Sequence, residues 1–215
     1  MSEPDFTKKG AKNRDLILDR AIRYLGRTGY ARSSLRKLAQ ACRTSAPRLK
    51  YYFGTEEELF AAAIQKMVGE GRGFIADREL KVEAVSEDAR RSSLVLAYLQ
   101  GMSDWLQSSA AYRRLMLEFY SESLSSAVLR KVNMEVMRAG RDRLAFYFLR
   151  DPQGTPSAEL LEFAERMHDL ITGGLIKALV REGEVQWDEL TLGLYRHITW
   201  SFEQWQREHP QSSPS

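Results

Sequence analysis

An all-α fold, with a small helix-turn-helix head on a larger helical body, is the class this sequence predicts. Three observations predict it. Apolar residues recur at three- and four-residue spacing from Ile17 to Trp205, with no stretch showing the period of two that marks a strand. Residues 33–55, SSLRKLAQACRTSAPRLKYYFGT, hold two short helical patterns joined by a tight turn. The charge is divided: 13 Lys/Arg against 4 Asp/Glu through Thr55, and 19 against 25 beyond it. A basic head on an acidic body is expected when only one end of a protein meets phosphate.

Along the chain, residues 1–12 read as a disordered tail carrying Lys8, Lys9 and Lys12. The first helix is expected over about 13–28, with Ile17, Ala21, Tyr24 and Leu25 as its buried stripe and Gly29 as its stop. In the second, Leu35, Leu38, Ala39 and Cys42 share one face, and Ser33 stands where a cap belongs. The turn is Cys42-Arg43-Thr44-Ser45. Ser45 then caps a third helix with Pro47 in its first turn, where a missing N–H costs nothing. Leu49, Tyr52 and Phe53 point the third helix inward, leaving Ala46, Arg48, Lys50 and Tyr51 outward. Thr55 and Glu58 form a capping box for the fourth helix, which is expected to end near Gly69, where Gly69, Gly71 and Gly73 loosen the chain.

From Arg91 the chain reads as nearly continuous helix, broken at 151–156 and at Gly183. The eighth helix is expected over about 157–182, and Asp188 is expected to cap the last. These last two helices are apolar on more than one side. Leu161, Phe163, Leu170 and Ile176 on one, and Leu192, Tyr195 and Trp200 on the other, add to the core stripes and point to a second copy of the chain as partner.

The head carries the binding chemistry. Helix starts at Ser33 and Ser45 offer N–H groups and a hydroxyl to a phosphate. Arg36 lies one turn inside its helix, within reach of a base edge, and Arg with guanine is the commonest specific contact. Arg48 and Lys50 extend from the recognition helix. Elsewhere no catalytic constellation is found. Three His and one Cys lack zinc-site spacing, and neither a phosphate loop nor a nucleophile elbow is present, so neither catalysis, a metal nor a cofactor is expected. One cysteine suits a reducing cytoplasm, no apolar run reaches the roughly 18 residues of a membrane span, and the first residues lack a signal core. The expected location is cytoplasmic.

Residues 14–60 resemble the DNA-binding domain of the tetracycline-repressor (TetR) family of bacterial transcription regulators. The marks are Ile17-Leu18-x-x-Ala21, Gly29-Tyr30, the Ser33-Ser34 pair, Leu38-Ala39, Leu49-x-Tyr51-x-Phe53 and Thr55-x-Glu57-x-Leu59. The resemblance implies that Ser34 and Arg36 lie at the DNA, that Ser45, Ala46 and Arg48 touch bases or phosphates, and that Lys50, Tyr51 and Tyr52 contact phosphate. Three departures stand out. Arg43 replaces the turn glycine, which either strains the turn or adds a phosphate contact, Lys50 stands where tyrosine is common, and Glu56 replaces the usual lysine, removing a phosphate contact.

The resemblance further implies residues 1–60 as the DNA-binding domain and 61–215 as an effector-binding and dimerisation domain. The protein would be a homodimer through its last two helices, and a repressor released from a near-palindromic operator by a small effector. Met102, Trp105, Met116, Phe119 and Tyr147, with His168 as a polar anchor, are the pocket candidates, and so aromatic a set suits an apolar or aromatic ligand. Core packing is the competing explanation for each. Two other functional readings remain: a helical ligand-binding protein with a degenerate DNA head, and a non-specific DNA binder.

Overall fold

The computed structural model describes residues 8–83, 86–149, 153–181 and 183–209. Among them, nine helices follow in order: α1 Lys8–Thr28, α2 Leu35–Ala41, α3 Ala46–Phe53, α4 Glu56–Glu79, α5 Glu87–Ser108, α6 Ala110–Glu122, α7 Ala127–Phe148, α8 Ala158–Val180 and α9 Trp187–Glu208. No strand occurs among the described residues. The chain forms two compact units. One joins residues 1–69 to 109–133; the other joins 70–108 to 134–215. The division falls inside α4 and α7, and α6 belongs with the N-terminal unit.

In the N-terminal unit, α1 buries Ile17, Leu18, Ala21, Ile22 and Leu25. It packs on α2 and α6. Gly26 allows the α6 approach, since a Cβ there would stand 2.2 Å from the Ala111 Cβ. The end of α1 is tied down by α6: Arg114 Nη1 donates to the Arg27 carbonyl at 2.9 Å, and the Tyr30 N–H donates to Glu118. Tyr30 also stacks on Phe60 at 4.2 Å. α1 starts at Lys8, so part of the expected tail is helical; its first two turns carry Ala11 but no larger apolar residue to signal it. Residues 1–7 lie outside the described segments.

In the C-terminal unit α9 packs against α5 and α8. The core centres on Phe148, Phe163, Phe202 and Trp205; Phe148 and Phe202 stack at 4.2 Å. Phe163 thus serves this core and not an outer face. The expected end of α4 at Gly69 is corrected: the helix runs ten residues further. Glycine at 71 and 101 admits a close crossing with α5. A Cβ at Gly71 would meet the Trp105 ring at 2.8 Å, and one at Gly101 the Ile75 Cα at 2.6 Å. This contact outweighs the roughly 1 kcal/mol that each helical glycine costs. α8 is capped by Ser157, whose Oγ accepts from the Leu160 N–H at 3.2 Å. The cap position of α9 is Gln186, without a side-chain bond, and not Asp188, which sits inside the first turn. No helix among the described residues is long and apolar enough to cross a membrane.

Candidate nucleic-acid interface

The candidate site is built on α2 and α3. The cap of α2 is Ser34, whose Oγ accepts from the Lys37 N–H at 3.3 Å. This corrects Ser33, which adjoins it in sequence and cannot be told from it by local pattern. The Ser33 hydroxyl instead donates to the Glu56 carboxylate, tying the start of α2 to the start of α4. Ser45 caps α3 as expected, accepting from the Arg48 N–H at 3.3 Å, with Pro47 in the first turn. The Thr55–Glu58 box is closed in both directions: the Glu58 N–H donates to Thr55 Oγ1 at 3.1 Å, and the Thr55 N–H to Glu58 Oε2 at 2.8 Å. Three carboxylates in this first turn suit the positive end of the helix dipole.

Between α2 and α3 the chain makes a Schellman turn. The Arg43 N–H donates to the Gln40 carbonyl at 3.1 Å, and the Thr44 N–H to the Ala39 carbonyl at 3.0 Å. That geometry needs a left-handed residue at the turn, and Arg43 supplies it at φ +54°, the one non-glycine at positive φ among the described residues. An L-residue there costs roughly 1–2 kcal/mol that glycine would not. The turn is therefore strained, and the Arg43 side chain is also exposed. Below it, Cys42 is fully buried; its thiol donates to the Ile17 carbonyl at 3.6 Å, and burial pushes its pKa up to about 11. Cys42 is a packing residue.

Leu49 and Phe53 anchor α3 inward. Tyr52 is half-buried, with the Arg48 guanidinium 5.8 Å from its ring centre and Tyr51 edge-on at 5.2 Å. Arg36, Lys37, Arg48, Lys50 and Tyr51 are exposed, Tyr51 at 70%. Ala46 is half-buried. Fixed helix ends with exposed cations and an aromatic hydroxyl can hold phosphate oxygens and present Arg36 and Arg48 to base edges.

Of the expected effector residues, Met116 and Phe119 are buried on α6 in the N-terminal unit; Met102, Trp105, Tyr147 and His168 belong to the C-terminal unit. They are not one cluster within either unit. The Tyr147 hydroxyl donates to Glu79 and accepts from Arg143 Nε at 2.7 Å, and Arg143 Nη2 reaches Glu79 at 2.5 Å. Burial first, then Glu79, pushes the Tyr147 pKa up. The His168 ring packs directly over Gly140, where a Cβ would stand 2.0 Å from Nε2. Burial holds His168 below the ordinary imidazole pKa, with Asp169 opposing. Sequence reasoning missed Glu79 and Arg143, which sit on separate helices and meet only through the fold.

Residues 17–63 match the sequence model of the bacterial regulatory proteins of the tetR family. No curated protein matches the chain. Among solved structures, a tetR-family transcriptional regulator from Streptomyces coelicolor superposes with a TM-score of 0.68 at 16% identity, covering 94% of this chain and 87% of that one. The multidrug binding protein EbrR complexed with imidazole superposes at 0.67 and 19% identity, covering 91% and 96%. The fatty acid degradation regulator FadR from Bacillus halodurans gives 0.63 at 15% identity, covering 90% and 97%.

Proposed function

We propose that this chain, which has the fold of the TetR-family transcriptional regulators and matches that family at its N-terminus, is a ligand-responsive, sequence-specific repressor. The observation that carries the reading is the pair of serine-capped helices, α2 and α3, with Arg36, Arg48, Lys50 and Tyr51 all facing outward. Residues 1–60 read DNA. Ser34 and Ser45 hold phosphates through their helix starts, Arg36 and Arg48 read base edges, and Lys50, Tyr51 and Tyr52 grip the backbone. Ser33, bonded to Glu56, acts by positioning α2 against α4.

Residues 61–215 bind effector and a second subunit. Leu170 and Val180 on α8, with Leu192 and Trp200 on α9, remain exposed, Trp200 at 58%, which supports a dimer through these helices. Two recognition helices then enter successive major grooves about 34–36 Å apart on a near-palindromic operator. A small apolar or aromatic effector, held in the C-terminal unit, favours a spacing that no longer fits. The imidazole complex of EbrR is consistent with an aromatic ligand in this fold. The protein acts in the cytoplasm and catalyses no reaction.

The test is binding to the DNA upstream of its own gene against scrambled competitor at two salt concentrations. A preference of roughly 10³ or more is expected, and Arg36→Ala should relax it at one base pair. Equal loss on every sequence would remove Arg36 from base reading.

A further inference from the structure

α1 carries seven Lys and Arg residues against two Asp. Its carboxylates lie on one side: Asp15 and Asp19 pair with Lys66 of α4 at 2.6 and 3.2 Å. Another side presents Leu16, Arg20, Arg23, Tyr24 and Arg27, which with Arg43 of the α2–α3 turn line a cleft of about 390 Å³. No carboxylate lines it, and none of the four arginines is ion-paired among the described residues. Arg20 is fixed in place, its Nη1 donating to the Cys42 carbonyl at 2.9 Å. Arg27 Nε donates to the Arg23 carbonyl at 3.2 Å, and the side chain is exposed. The field of these groups is felt below, where Arg20 and Arg23 both oppose the rise of the Cys42 pKa.

Four like charges around one concavity repel one another, and no carboxylate among the described residues lines it. Guanidinium forks match phosphate oxygens two at a time, and a cleft of this volume is of ligand size. Leu16 and Tyr24 add an apolar wall and a ring beside the charges.

We propose that the cleft between α1 and the α2–α3 turn binds a free, multiply phosphorylated small molecule. A single phosphate would satisfy one fork; the arginines span Arg20 to Arg27, about 10 Å of helix, which suits two or three linked phosphates. Arg43 lies at the same time in the turn that leads into α3, so occupancy of the cleft and contact with an operator draw on one guanidinium.

The test titrates the full chain with tripolyphosphate at fixed ionic strength in a calorimeter. Binding at one site per chain is expected, weakened about tenfold or more by Arg23→Ala/Arg27→Ala, which removes two charge-assisted hydrogen bonds. Both residues are exposed, and the Arg27 carbonyl held by Arg114 remains in the variant. Arg48→Ala/Lys50→Ala should leave this binding unchanged. No binding at millimolar tripolyphosphate, or equal binding by the α1 variant, would overturn the proposal; so would loss in the Arg48/Lys50 variant, which would place the anion on α3. A parallel DNA titration separates the sources of phosphate. The α1 variant should keep the wild-type salt slope, whereas a slope lower by about two would assign the cleft to the duplex backbone and overturn the free-ligand reading. Failure of DNA binding in the wild type would sink the repressor reading and leave the tripolyphosphate result standing.

Discussion

Replacing Glu56 with lysine separates two tasks that meet at the start of α4. In the structure the Glu56 carboxylate accepts the Ser33 hydroxyl and lies in a first turn with Glu57 and Glu58. A hydrogen bond to a charged acceptor contributes about 1.5–3 kcal/mol, toward the low end at a half-buried site. Reversing a charge at the positive end of a helix costs roughly 0.6–2 kcal/mol, counting the lost attraction and the new repulsion. Glu56→Lys should therefore destabilise the fold by about 2–3 kcal/mol. Melting should fall by roughly 5–10 °C at this chain length. The same change places a cation where the resembled family holds a phosphate, so the salt dependence of DNA binding should steepen by about 0.9 in log–log slope. Thermal melts and DNA titrations over 50–200 mM salt read the two effects independently, and Glu56→Gln, which keeps an acceptor for Ser33, should show a smaller stability loss and no added slope. An unchanged slope would show that α4 does not start at the DNA backbone. An unchanged melting temperature would show that the Ser33–Glu56 bond does not hold α2 in place.

Three further outcomes are expected. Gly101→Ala puts a Cβ 2.6 Å from the Ile75 backbone, which cannot yield as a side chain would; urea unfolding should show a loss of about 1–3 kcal/mol, and wild-type stability would refute the close α4–α5 crossing. His168 titrates below its ordinary 6.5 because burial disfavours the charged ring. As pH falls through 6.5 the unfolded chain therefore takes up a proton the folded chain refuses. Stability should drop over the interval below 6.5, at up to about 1.4 kcal/mol per pH unit, and not above it. Comparing wild type with His168→Gln at pH 7.5 and 5.5 isolates this, and identical pH dependence would contradict it. Lys50→Ala should weaken binding to all DNA sequences and lower the salt slope by about one; an unchanged slope would take Lys50 out of the phosphate set.

The head was readable because its signals are local. Leu38, Ala39 and Cys42, then Leu49 and Phe53, lie at helical spacing and are buried, and the Thr55–Glu58 box needs only four consecutive residues. What escaped depends on residues far apart in sequence. Gly69, Gly71 and Gly73 read as a break because a glycine has no side chain to show what packs on it; only with Trp105 and Ile75 in place does the Gly71–Gly101 crossing become a reason for continuous helix. Ser33 and Ser34 are equivalent to local reasoning until Glu56 claims one of them. Phe163 was assigned to an outer face because a central helix has neighbours on more than one side, and its apolar girth alone does not say which belong to the same chain. The arginine cleft is not legible in the sequence, because helical spacing relates Arg20, Arg23 and Arg27 to one another but only the folded turn brings Arg43 beside them.

Selection of binding sites from random duplex DNA, with sequencing of the survivors, reads operator recognition directly. Enrichment is expected of one near-palindromic sequence whose half-sites lie a helical turn, or a multiple of it, apart. It should be bound roughly 10³-fold or more above the starting pool. Survivors with no shared sequence, bound no better than the pool, would contradict operator recognition.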